Sequence, residues 1–128
     1  MQRATILVVD DLGADRQLLV TLLSAQGHSV REAEQASTSL AQLRQYHPAL
    51  VIVDIALPGV TGLNVVAHLR ADPVLAATPV LFDTARYDDT ATAQAIRATG
   101  YAVLAKPVTP TEVVRHAEAV LRAAALGE

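Results

Sequence analysis

The feature that most constrains this chain is a fivefold alternation. A short apolar run rich in β-branched residues is followed each time by a segment with helical spacing of apolar residues. The runs fall at residues 4–9, 29–32, 49–53, 79–82 and 101–104. The first and third are almost purely apolar and too short for a core helix, so they suit strands buried on both faces of a parallel sheet. Residues 29–32 are more polar and read as an edge strand. Between the runs, Leu18, Leu19, Leu22 and Leu23 mark a helix over 14–26, stopped by Gly27. Ala36, Leu40 and Leu43 mark one over 34–46, closed before Pro48. Leu63, Val66, Ala67 and Leu69 mark a third that ends before Pro73, and a weakly apolar helix over 90–98 stops at Gly100. Pro110 opens the last, with Val113, Val114, Ala117, Val120 and Leu121 on its core side.

Alternation of this kind predicts an α/β fold: a doubly wound (βα)5 parallel sheet with helices on both faces and right-handed crossovers. The usual five-stranded order, that of flavodoxin-like proteins, is 2-1-3-4-5, and ligands then bind at the carboxyl ends of the strands. With 128 residues, 52% of them hydrophobic, the chain is expected to fold as one domain over 1–128. No apolar run approaches a membrane span, and the N-terminus does not read as a signal peptide. A soluble, cytoplasmic protein without membrane contact is expected. Cysteine is absent, which removes thiolate chemistry and disulfides. A net charge of −3 with no basic block argues against direct nucleic-acid binding. Nine of the ten basic residues are arginine; the tenth, Lys106, is the only lysine.

Strand ends collect the chemistry. Strand 1 ends at Asp10 and Asp11, strand 3 at Asp54, strand 4 at Asp83 and Thr84, and strand 5 at Lys106 and Pro107. An aspartate after a strand is commonly a turn former or helix cap, and Asp11 is also a candidate cap for the first helix. Thr84 reads equally as a plain turn or cap residue, and a lone lysine is commonly solvated. The joint placement is harder to dismiss, because the order 2-1-3-4-5 gathers these groups round one crevice. Crowded carboxylates raise a pKa or demand a cation, and oxygen-only ligands favour Mg²⁺, with Mn²⁺ the alternative. A divalent cation plus an ammonium is the charge environment of phosphoryl transfer, and a carboxylate nucleophile on phosphorus gives an acyl phosphate.

These residues resemble the receiver domain of two-component response regulators over nearly the whole chain. Asp10 and Asp11 after Ile6–Val9 resemble the family's paired metal-site acids. Asp54, Pro58 and Gly62 match its phosphoacceptor segment of Asp, three residues, Pro, three residues, Gly. Thr84-Ala85 matches its hydroxyl residue and small neighbour. Lys106-Pro107 matches its lysine, typically followed by a cis peptide bond. The resemblance implies that Asp54 is the phosphoacceptor. Asp10, Asp11, Asp54 and the backbone carbonyl of Ala56 would hold Mg²⁺. Lys106 and Thr84 would contact the phosphoryl oxygens, while Pro58 and Gly62 shape the loop. It also implies a histidine kinase or histidine phosphotransfer protein as donor, an output protein not named by the sequence, and a homodimer as a candidate assembly. The chain would be no enzyme beyond its self-phosphorylation and slow autodephosphorylation.

Two departures bear on signalling. Most members carry an aromatic residue three positions before the lysine, where this chain has Val103; Tyr101 lies two residues earlier on the same strand face. The segment from Phe82 to Tyr87 partly resembles a subgroup of single-domain receivers: Phe82, Thr84 and Tyr87 fit, and Asp83 and Ala85 depart. With no ring at Val103, the segment 84–98 is expected to report the phosphoryl group. His28, His47, His68 and His116 lack metal-ligand spacing and read as surface or boundary residues. A haloacid dehalogenase-type phosphatase would need a second Asp where Ala56 stands. A flavodoxin would need a phosphate loop after strand 1, where Asp10 and Asp11 would repel it. A pseudo-receiver, a binding module regulated without phosphorylation, is the remaining alternative.

Overall fold

The computed structural model describes residues 3–59, 61–85 and 90–126. The elements run β1 Thr5–Val9, α1 Gly13–Ala25, β2 Ser29–Ala33, α2 Ala36–Tyr46, β3 Leu50–Asp54, α3 Gly62–Ala71, β4 Val80–Thr84, α4 Thr90–Thr99, β5 Ala102–Ala105 and α5 Pro110–Ala125. All five strands pair in parallel in the order β2-β1-β3-β4-β5, so the expected doubly wound sheet forms.

Strand parity divides the core. Leu7, Val9, Val51, Val53 and Phe82 point to one face, where Leu43 of α2, Val65 and Leu69 of α3, and Ile96 of α4 cover them. Ile6, Val8, Leu50, Ile52, Leu81 and Leu104 point to the other, beneath Leu19 and Leu23 of α1 and Val113 and Ala117 of α5. Burying a large aliphatic side chain is worth about 1.5–3 kcal/mol, so both faces contribute substantially to stability. The register pairs Asp54 with Asp83 and Thr84 with Ala105, which levels the C-terminal ends of β3, β4 and β5.

His28 is no surface or boundary residue: it is buried just before β2, where its Nδ1 accepts the Ala4 N–H at 3.1 Å. Burial holds its pKa below the ordinary value, against the opposing pull of Glu118. Tyr101 lies just before β5, away from the carboxyl edge. Its ring packs edge-on to Phe82, Arg70 stacks over it at 4.6 Å, and Arg70 Nε donates to its hydroxyl at 3.1 Å. Val103, half-buried against the Phe82 core, leaves the usual aromatic position without a ring. Arg86, Tyr87, Asp88 and Asp89 lie outside the described residues, so the structure does not bear on the Tyr87 match; α4 packs through Ala93 and Ile96.

Candidate functional site

The core stripe under α1 and α5 continues past the strand ends as charge. Parity carries Ile6 and Val8 on to Asp10, Leu50 and Ile52 on to Asp54, Leu81 on to Asp83, and Leu104 on to Lys106. The Lys106 ammonium sits at the centre. It donates to Asp15 Oδ2 at 2.9 Å, Asp54 Oδ2 at 3.1 Å and Asp10 Oδ2 at 3.2 Å, and stands 3.9 Å from Asp83 Oδ2. Its backbone N–H donates to the Thr84 carbonyl at 2.8 Å, and the Lys106-Pro107 peptide is cis.

The carboxylates differ in their surroundings. Asp10 is fully buried; its Oδ1 accepts the Leu12 N–H at 2.9 Å, and Arg16 Nη1 donates to its carbonyl at 2.6 Å. Asp54 is 4% exposed, and its Oδ1 accepts the Ala56 N–H at 3.0 Å. Asp11 is exposed and does not cap α1: the N-cap is Leu12, with no side-chain capping bond, and Asp10 takes the Leu12 N–H instead. One oxygen each of Asp10, Asp11 and Asp54 lie within 4.8 Å of one another. Three hard oxygen donors at that spacing, two of them buried, fit a small hydrated divalent cation. Thr84 is fully buried at the end of β4, on the opposite strand parity from Asp83.

Burial sets the protonation balance. It raises the Asp54 pKa, and the Asp10 charge adds to the rise, while the Ala56 N–H and Lys106 oppose it. Burial pushes Asp83 up to about 7. Burial alone would lower the pKa of Lys106, but the carboxylates of Asp15, Asp83 and Asp54 raise it, so the ammonium stays charged.

The loop beside Asp54 is held by an Ala56–Thr61 antiparallel bridge, a Gly62 N–H to Ile55 carbonyl bond of 2.8 Å, and a Thr61–Asn64 capping box on α3. A Cβ at Gly62 would collide with the Asp54 carbonyl oxygen and lie 3.1 Å from the Ile55 Cα. Gly62→Ala should therefore cost about 1–3 kcal/mol in denaturant unfolding, because backbone must move to admit it; an unchanged midpoint would refute the close packing.

Asp15 is the functional candidate that strand ends alone do not reveal. It continues the Leu19 and Leu23 stripe of α1 at four-residue intervals, which turns it toward the same crevice.

The doubly wound sheet thus carries an aspartate–lysine cluster at its carboxyl edge. The model of the response regulator receiver domain matches residues 6–118. The chain is 32% identical over 118 residues to protein PilH of Pseudomonas aeruginosa, covering 92% of this chain and 98% of PilH. It is 29% identical over 124 residues to the phosphate regulon transcriptional regulatory protein PhoB of the same organism, covering 97% of this chain but 54% of PhoB. The chain thus spans about half of that relative's length. Among solved structures, chemotaxis response regulator CheY4 of Vibrio cholerae superposes with TM-score 0.85 at 27% identity, over 93% of this chain and 99% of that one. NtrX of Brucella abortus superposes with TM-score 0.87 at 32% identity, over 98% of this chain and 28% of NtrX. The chain belongs to the response regulator receiver domain family. Among the described residues, no helix is long and apolar enough to cross a membrane.

Proposed function

We propose that the chain is a phosphoacceptor of two-component signalling, taking a phosphoryl group onto Asp54 from the phosphohistidine of a histidine kinase or histidine phosphotransfer protein. A carboxylate oxygen of Asp54 forms the new bond to phosphorus as the P–N bond to the donor imidazole breaks. The departing electron pair stays on that nitrogen. The observation that carries this reading is the seating of Asp54. It is buried with one oxygen on the Ala56 N–H and the other on the Lys106 ammonium, and its carboxylate has Asp10 and Asp11 beside it.

Asp10, Asp11 and Asp54, with the Ala56 carbonyl, would hold Mg²⁺, and Mn²⁺ could take its place. The ion supplies positive charge that offsets the charge gathered on the phosphoryl oxygens. Lys106 keeps an ammonium within reach of the same oxygens, and Thr84, at the end of the neighbouring strand, is the hydroxyl assigned to the phosphorylated state. The conformational change that follows would carry the signal to an output protein or a second copy of the chain. Incubation with acetyl phosphate and Mg²⁺ should add the mass of one phosphoryl group as an acid-stable, base-labile adduct. Chelation of the metal should suppress it. No adduct under either condition would instead match a binding module regulated without phosphorylation.

A further inference from the structure

An ammonium has three protons, and Lys106 faces four carboxylates. Asp10, Asp15 and Asp54 take hydrogen bonds of 2.9–3.2 Å; Asp83 Oδ2, at 3.9 Å, is left beyond reach. The other oxygen of Asp83, Oδ1, is buried without a hydrogen-bond partner among the described residues. The Asp83 side chain is 3% exposed. An unpaired carboxylate oxygen in that setting is costly. A cavity of about 320 Å³ opens beside it, lined by Asp15, Leu18, Asp83, Lys106, Pro107 and Val108. The lysine head therefore has space on the α1 side, and two carboxylates to meet there.

We propose that Asp15 and Asp83 form a second seat for the Lys106 ammonium, so that the lysine is a two-position cation. In the structure it bridges Asp10, Asp15 and Asp54. When Asp10 and Asp54 are committed to a divalent cation, two of its three acceptors share their charge with the ion, whose positive charge repels the ammonium. It then swings toward Asp83 while Asp15 keeps hold of it. Asp15 and Asp83 are positioning residues in this scheme: they touch neither metal nor phosphoryl group, and they keep Lys106 ordered beside both. The scheme rests on the metal reading of Asp10, Asp11 and Asp54.

Lys106 is the only lysine in the chain, so ¹⁵N-lysine labelling reports one ammonium without assignment. The measurement is hydrogen exchange of that ammonium with water at mildly alkaline pH, metal-free and at saturating Mg²⁺. It is made for the wild type, Asp15→Asn, Asp83→Asn and the double variant. Both substitutions preserve side-chain shape, and a melting curve for each variant checks folding. In the wild type, Mg²⁺ should change the exchange rate little, because the second seat takes over protection. In the double variant the Mg²⁺-loaded to metal-free ratio should rise at least threefold above the wild-type ratio. The ratio cancels the general loss of negative field and would not move if the two acids were merely structural. A smaller rise overturns the second seat. Mg²⁺ loading is checked by its effect on wild-type melting. If no Mg²⁺ binds, the metal reading fails and the seat with it; if Mg²⁺ binds and the ratios agree, the seat alone fails.

Discussion

Asp54→Asn should reduce labelling by acetyl phosphate to background while leaving the protein folded. Asp54 ends β3 at the middle of the crevice, its two oxygens on the Ala56 N–H and the Lys106 ammonium, 3.0 and 3.1 Å away. An amide nitrogen in its place has no lone pair to offer phosphorus, and the remaining amide oxygen is a poor nucleophile. Folding should survive because the change is isosteric and β3 is otherwise apolar, Leu50 to Val53. Asn Oδ1 can still accept the Ala56 N–H, and Lys106 keeps Asp10 and Asp15. The lost bond to Lys106 is offset by relief of the Asp10–Asp54 repulsion, so stability should change by no more than about 1 kcal/mol. Peptide mapping of acetyl phosphate-treated wild type and variant decides the matter. A phosphoryl group retained on Asp10 or Asp11 in the variant would move the nucleophile elsewhere.

Much of this arrangement is legible in the chain because two periodicities suffice. The strand period places Asp10, Asp54, Asp83 and Lys106 on one face, as the polar continuation of Ile6–Val8, Leu50–Ile52, Leu81 and Leu104. The alternation of strands and helices sets the order that brings those strand ends together. Asp15 was legible too, one helical turn before Leu19, but a search confined to strand ends passes over it. Three features were not legible. His28 is buried through the Ala4 N–H, 24 residues away in sequence, a long-range contact that no local pattern encodes. Asp11 does not cap α1, because the chain enters the helix at Leu12, whose N–H goes to Asp10 Oδ1, and no local pattern encodes where that entry falls. That Asp83 Oδ1 has no hydrogen-bond partner among the described residues, and that the Lys106 ammonium stands 3.9 Å from Oδ2, requires the distances.

Asp83→Asn should stabilise the metal-free protein increasingly as pH rises from about 4 to about 8. Burial displaces the Asp83 pKa from its ordinary 3.8 to about 7, against the pull of Lys106. Between those two values the folded protein binds a proton that the unfolded chain has released. Stability supplied by this group is therefore present at low pH and lost as pH rises through the folded-state value; above it the loss is complete and the dependence flattens. A displacement of that size corresponds to about 4 kcal/mol at most, and about 2 kcal/mol is the expected scale once relaxation around Lys106 is allowed for. Asparagine cannot ionise, so the variant should lack this contribution. It should match the wild type near pH 4 and exceed it by about 2–4 kcal/mol near pH 8. The charge of Asp54 adds to the rise at Asp83, so the difference between the two proteins reports Asp83 together with that coupling. Urea unfolding of both proteins across this range, with chelator present, gives the difference directly. Parallel stability curves would mean that Asp83 keeps one charge state throughout, and the unpaired oxygen would then need a partner other than a proton.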